Sequence, residues 1–402
     1  MIRTAVSVLA LAGLAGTALA QPTLVPLSTF GVNGWRAPSV VQTGDSAGTG
    51  PQGSYLALNP SGDSERGLSY NRATGDLLLV TRNGTITATA SPLRVLDSST
   101  GRDKGQLAFG SGVIMGGTFA FSLVSSSSDG QIFISNLSTD TRTSAYKVYK
   151  WTDQTAGTPT VHFNSTQAWA TVTGTLAPRL GDSLDATGSG TSVTLATGYR
   201  NLNGVFTLTG SSSPTGQIYT NVVAPSVPPA GSLGMTGTNT PINPNFRLGL
   251  TFGATASDVI GKVTSQNLFT AALSGTGLSA ISGATTAGGE GQIDFAVIGG
   301  VPYLAALDVN NSRVYVYDVS NPAAPLSLFP FGVVAQTGSV NVNGNASGAV
   351  QFGAIDDVLQ TATIYTLNTN NGIQAFTFTV PTPGAAGVLA MGGLLAARRR
   401  RR

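Results

Sequence analysis

Hydrophobic positions along this chain come in short runs, and the runs are separated by clusters of Gly, Asn, Asp, Ser and Thr. Between Pro22 and Val380 almost no 3.6-residue periodicity appears, so the pattern predicts strands and tight turns rather than helices. The clearest unit starts at Gly67–Tyr70 and turns through Asn71–Asp76. It continues as Leu77–Arg82, then Leu93–Asp97, and after Ser98–Gly101 ends at Gly105–Phe109. A second unit reads Phe119–Val124, Gln131–Ser135, Ala145–Trp151 and Thr160–Phe163. A third reads Asp294–Val297, Val301–Leu307, Arg313–Asp318 and Leu326–Phe329. The last has three strands, Ala349–Ile355, Thr361–Leu367 and Gly372–Val380, and Leu24–Phe30 from the other end of the chain is expected to supply the fourth. Stretches 164–225 and 226–284 are less regular, with room for one unit each.

Four strands repeating about every 45 residues is the signature of a β-propeller. The expected fold is therefore all-β, a propeller of about six four-stranded blades, or seven if a divergent stretch hides one. A pair of β-sandwiches or a β-helix is the rival architecture. Arg313–Phe329 (RVYVYDVSNPAAPLSLF) resembles the repeats of secreted bacterial propellers, in which a strand ends in Asp before a Ser-Asn-Pro turn; Leu93–Gly101 (LRVLDSSTG) is a weaker match. This resemblance implies architecture and no activity.

The two ends break the pattern. Arg3, the apolar run Ala5–Leu14 and the small residues Ala18 and Ala20 form a secretory signal, with cleavage expected before Gln21. At the other end Pro381 and Pro383 stop the last strand, since each lacks a backbone donor and has a fixed φ. An uncharged run, Ala385–Ala397, follows, and Arg398, Arg399, Arg400, Arg401 and Arg402 close the chain. As a helix rising about 1.5 Å per residue, that run reaches only roughly 20 Å. It is short for a bilayer core of about 30 Å, so the expected hydrophobic helix is a brief anchor, with the arginines held on the cytoplasmic side.

Val380, Pro381, Thr382 and Pro383 with the arginine cluster resemble the PEP-CTERM sorting signal. Thr382 stands where that motif carries glutamate. The resemblance covers 380–402 and implies processing by an exosortase-like enzyme, after signal peptidase has acted, with transient anchoring in the membrane. It also implies a cell-surface or extracellular location and an association with exopolysaccharide. The expected organisation is a signal peptide at 1–20, a propeller body at 21–380 and a sorting segment at 381–402.

Charge changes its meaning once these ends are set apart. The chain has 21 Lys and Arg against 18 Asp and Glu. Six of the basic residues are Arg3 and the terminal five, so the body holds 15 basic and 18 acidic residues, a net charge of −3. No basic cluster suited to nucleic acid remains. There is no cysteine, which excludes disulfides, thiol catalysis and zinc–thiolate sites.

With one histidine, His162, a multi-histidine metal centre is excluded and a Ser-His-Asp triad would have to use that residue. His162 lies in a strand, where a packing role is commoner. Carboxylate pairs are the remaining catalytic equipment. Asp182 with Asp185, and Asp356 with Asp357, are the candidates for glycan hydrolysis, against a role in capping turns, which is also expected for Asp97 and Asp318. Asp308–Asn311 and Asn368–Gly372 are oxygen-rich turns that could ligate calcium but lack the spacing of a calcium loop. Trp35, Trp151 and Trp169, with the tyrosines, could stack on sugars or pack inside blades. The reading that follows is a non-enzymatic propeller without a required cofactor, with a binding or structural role at the cell surface or in the extracellular matrix. Polysaccharide is the partner class that the sorting-signal resemblance implies. A carboxylate-based glycan hydrolase or lyase acting in the central channel is the alternative.

Overall fold

The computed structural model describes residues 21–46, 64–82, 93–108, 110, 112–114, 118–140, 143–164, 179–200, 248–256, 258–262, 290–321 and 332–381, and also the short strands 206–208, 211–213, 218–222, 268–272, 278–280 and 326–327. The expected signal peptide and the sorting segment beyond Pro381 lie outside the described residues, as does Trp169. Among the described residues every regular element is a strand, and no helix is long and apolar enough to cross a membrane.

In chain order the strands are β1 (Thr23–Pro26), β2 (Trp35–Arg36), β3 (Glu65–Asn71), β4 (Asp76–Thr81), β5 (Leu93–Asp97), β6 (Asp103–Gln106), β7 (Phe119–Ser126), β8 (Ile132–Leu137), β9 (Lys147–Trp151) and β10 (Thr160–Asn164). They continue as β11 (Arg179–Leu180), β12 (Asp185–Thr187), β13 (Thr194–Arg200), β14 (Phe206–Leu208), β15 (Ser211–Ser213), β16 (Ile218–Val222), β17 (Gly249–Phe252), β18 (Asp258–Lys262), β19 (Leu268–Ala272) and β20 (Leu278–Ala280). The last seven are β21 (Glu290–Ile298), β22 (Val301–Asp308), β23 (Arg313–Asp318), β24 (Leu326–Ser327), β25 (Gly348–Asp356), β26 (Thr361–Asn368) and β27 (Gly372–Thr379).

Antiparallel meanders β3–β6, β7–β10 and β21–β24 form three blades, and β25–β27 form a fourth that β1 completes. The register Leu24↔Phe378 puts β1 beside β27, so the N-terminal segment closes the last blade as its sequence suggested. The innermost strands touch in cyclic order β3, β7, β12, β17, β21, β25 and back to β3, which makes the arrangement a propeller around a central channel.

The number of full blades falls below the six or seven expected. In four sheets the two inner strands run six to nine residues. The stretches expected to hold one regular unit each carry slighter sheets: β11 and β12 both pair with β13, which pairs on its other side with β16, and β17–β20 open on a four-residue strand. The physical reason lies in composition. These stretches are rich in Gly, Ser and Thr and poor in the paired apolar residues that bury both faces of a strand.

Two-sided burial explains why the strong strands read as continuous hydrophobic runs. Along β4, Leu78 and Val80 pack with Phe121, Ile132 and Trp151 of the next blade. Leu77 and Leu79 point the other way, against Leu367, Ile373 and Phe30. In β23 likewise, Val314 and Val316 join the layer shared with β25–β27, while Tyr315 and Tyr317 join the layer shared with β18. Side chains two apart share a face, so a single strand serves both neighbours. Gly67 and Gly249 let the inner strands close up: a Cβ on Gly67 would stand 2.9 Å from Leu123 Cα, and one on Gly249 would stand 2.2 Å from the Gly291 carbonyl oxygen.

Candidate functional site at the channel mouth

Six inner strands line the channel, and toward one end it opens into a cavity of about 150 Å³. Polar side chains from successive strands converge there: Tyr70 and Arg72 beside β3, Ser125 and Ser126 on β7, Asp185 on β12, Thr251 on β17, Asp294 on β21 and Gln351 on β25. Further in, the channel shrinks to about 40 Å³ between Leu68, Val124, Leu250, Ile293 and Val350. The wide polar end is thus a pocket above a narrower waist of mixed lining, where Asp182, Ser183 and Gln292 accompany these apolar side chains.

Hydrogen bonds tie the blades together around this pocket. Ser126 Oγ donates to the Tyr70 carbonyl oxygen at 3.0 Å. Ser125 Oγ donates to Asp185 Oδ1 at 3.2 Å, and the Phe252 amide donates to Asp185 Oδ2 at 2.9 Å. Thr251 Oγ1 donates to Asp294 Oδ1 at 3.3 Å, and the Phe352 amide donates to Asp294 Oδ2 at 2.6 Å. Arg72 Nη1 reaches the Gly353 carbonyl oxygen at 3.5 Å and completes the circuit. Each carboxylate therefore holds the inner strand of the next blade, a use of charge that buried polar groups require.

The two acids are electrostatically coupled. Burial, followed by the charge of Asp185, raises the Asp294 pKa to about 7, against the opposing pull of the Phe352 amide and of Arg72. Burial also raises the pKa of Asp185, offset in part by its bonds from Phe252, Ala186, Ser125 and Thr251. Like charges in a dry pocket resist double ionisation, so near neutrality the pair readily holds one proton. The arrangement supplies a proton donor, an acceptor and a cation around one small space.

The sequence pointed to Asp185 but gave it the wrong partner. Asp182 lies in the wall of the narrower section instead and takes Arg179 through Nε at 2.5 Å and Nη2 at 2.8 Å, with Arg66 at 3.8 Å. Asp294, which reading by pairs overlooked, faces the same pocket as Asp185. Its signal was a lone acid inside the apolar strand Ile293–Ile298. Asp356 and Asp357 do not form a catalytic pair: Asp356 Oδ1 accepts the Val358 and Leu359 amides at 2.9 Å each, and Asp357 accepts the Gly299 amide at 3.0 Å. Asp97 and Asp318 cap turns as expected, through Thr100 and Ser320.

His162 lies on the outer strand β10, against Phe133 at 5.3 Å between ring centroids, and away from the pocket. Burial and the nearby Lys150 lower its pKa to about 4, so it is a neutral packing residue. Trp35 donates to the Asn371 carbonyl oxygen at 2.9 Å and Trp151 to that of Ala108 at 2.7 Å; both pack within blades rather than forming a platform. The oxygen-rich turns spend their side chains internally. Asp308 accepts the Asn310 and Asn311 amides, and Asn371 Oδ1 accepts the Asn341 amide. Among the described residues no group of three or more His, Cys, Asp or Glu converges as a metal site.

Comparison with known proteins supports the fold alone. No family model matches the chain, and no curated protein matches it. Among solved structures, a DUF4623 family protein from Bacteroides eggerthii is similar over 80% of this chain and 72% of its own, at 15% identity and a TM-score of 0.54. A protein of unknown function from Bacteroides thetaiotaomicron aligns over 79% of this chain and 69% of its own, at 10% identity and a TM-score of 0.44. The class defined by fold and pocket is thus a β-propeller with a polar channel mouth.

Proposed function

We propose that this protein is an exported propeller that binds a hydroxyl-rich ligand, a saccharide, in the cavity at its channel mouth. On this reading the two slighter sheets are eroded blades and the ring is six-bladed. The observation that carries the proposal is the convergence of Ser125, Asp185, Thr251, Asp294 and Gln351, from five different inner strands, on one cavity of about 150 Å³. A few convergent polar groups in a concave site on a rigid scaffold are the usual form of a small-ligand site. Tyr70 adds an aromatic rim, stacked on Tyr365 at 6.0 Å and 14°. The signal sequence and the PEP-CTERM-like tail support work outside the inner membrane, where extracellular polysaccharide is the partner in reach.

A second reading has a specific observation in its favour. Asp294, with its pKa near 7, and Asp185 could act as general acid and base on a glycosidic bond. A screen of the purified full chain against an array of glycans tests binding. Retention of one glycan class by the wild type, weakened at least tenfold in Ser125→Val and Thr251→Val, is the expected result, and absence of retention defeats the proposal. Appearance of new reducing ends during the incubation would favour the hydrolase.

A further inference from the structure

We infer that the ligand of this mouth carries a carboxylate, as a uronic acid residue does, and that Arg72 receives it. The inference rests on the proposed saccharide site and narrows it to one chemical class. Arg72 sits on the Asn71–Gly75 turn after β3, exposed at the rim of the cavity. Several other arginines of the body pair with acids: Arg36 with Asp45 at 2.8 Å, Arg94 with Asp103, and Arg179 with Asp182. Arg72 has no ion pair among the described residues, and its one hydrogen bond, to the Gly353 carbonyl oxygen, is 3.5 Å long. Its charge nonetheless reaches into the cavity, where it acts on both Asp294 and Tyr70. A guanidinium presents a planar fork that matches a carboxylate with two parallel hydrogen bonds, and a partly desolvated rim strengthens such a pair.

The two acids on the inner side select against other anions. A dianionic phosphate would meet the negative charge of Asp185, whereas a single carboxylate can take Arg72 while the sugar hydroxyls take Ser125, Thr251 and the acid pair. Around Asp294 the charged and titratable groups are Asp185 on β12 with Arg72 and Tyr70 at β3, while β17 and β25 present Thr251 and Gln351. Protonation of Asp294 near pH 7 removes the repulsion nearest to a bound anion. A uronate itself stays ionised above about pH 4, so the complex should tighten as pH falls from 8 to 6.

Calorimetric titration of the full chain with a galacturonate tetramer and with a galactose tetramer tests this. The expected result is at least tenfold tighter binding of the uronate, a gain of roughly tenfold from pH 8 to pH 6, and loss of the preference in Arg72→Gln with partial recovery in Arg72→Lys. Because Arg72 is exposed on a turn, these variants should melt with the wild type, and a melting scan checks that they do. Equal affinity for the two tetramers, or an unchanged preference in Arg72→Gln, overturns the inference while leaving the saccharide site standing. Binding of neither tetramer by a chain that retains another glycan on the array also overturns it, and retention of nothing overturns both readings.

Discussion

Asp294 is a carboxylic acid in the middle of an apolar strand, with Ile293 and Phe295 beside it. It exchanges water for the Phe352 amide and the Thr251 hydroxyl, and burial with the neighbouring Asp185 lifts its pKa to about 7. An acid whose folded pKa lies above its unfolded value binds its proton more tightly when folded. Its stabilisation is complete below about pH 4 and is lost as pH rises through about 7. The wild type should therefore lose on the order of 2–4 kcal/mol from this residue between pH 4 and pH 8. Asp294→Asn keeps an oxygen for the Phe352 amide and has no charge to bury beside Asp185. Melting curves across that pH range should show a flatter profile for the variant and a higher Tm than wild type at pH 8, by roughly 4 °C or more. Parallel profiles would mean that Asp294 is ionised throughout.

At the level of elements, the strands that sequence reading recovered are those with apolar residues on both faces. Leu77–Val80, Ile132–Ile134 and Val314–Tyr317 each feed two neighbouring layers, so their burial left an unbroken hydrophobic run. The sheets of β11–β16 and β17–β20 were not legible, because small and hydroxylated residues carry no periodic imprint. The site was half legible for a different reason. Asp182 and Asp185 are close along the chain, but Asp182 lies before β12 and pairs with Arg179, while Asp185 opens that strand at the cavity. Asp185 and Asp294 are distant in sequence and are brought together only by ring closure, which no local pattern records. That closure depends on β1. Leu24 is 6% exposed and packs with Phe376 and Phe378, while its neighbour Val25 is 51% exposed. Leu24→Ala should cost roughly 2–3 kcal/mol, as buried leucine truncations do, and Val25→Ala within about 0.5 kcal/mol. Urea midpoints of the two variants check the contrast, and equal midpoints would show that β1 does not latch the ring.

On the scale of the whole molecule, ring closure also fixes where the two ends emerge. Thr23 pairs with Thr379 on the outer edge of the last blade, so the segment before Gln21 and the segment after Pro381 leave the body side by side. The channel mouth is built from inner strands, and this edge is the outermost strand of one blade, so a tether at the edge leaves the mouth clear. On the proposed reading of Ala385–Ala397 as an anchor, thirteen uncharged residues would be held weakly by burial and oriented by the five arginines behind them. A short, oriented anchor suits a protein that is held at the membrane and then cut, and it should be dispensable for folding because the blade is complete at Thr379. Deletion of residues 381–402 should leave the melting curve and ligand binding unchanged while shifting the protein from the envelope fraction to the soluble exported fraction. If the shortened chain fractionates as the full chain does, the tail is not a sorting device.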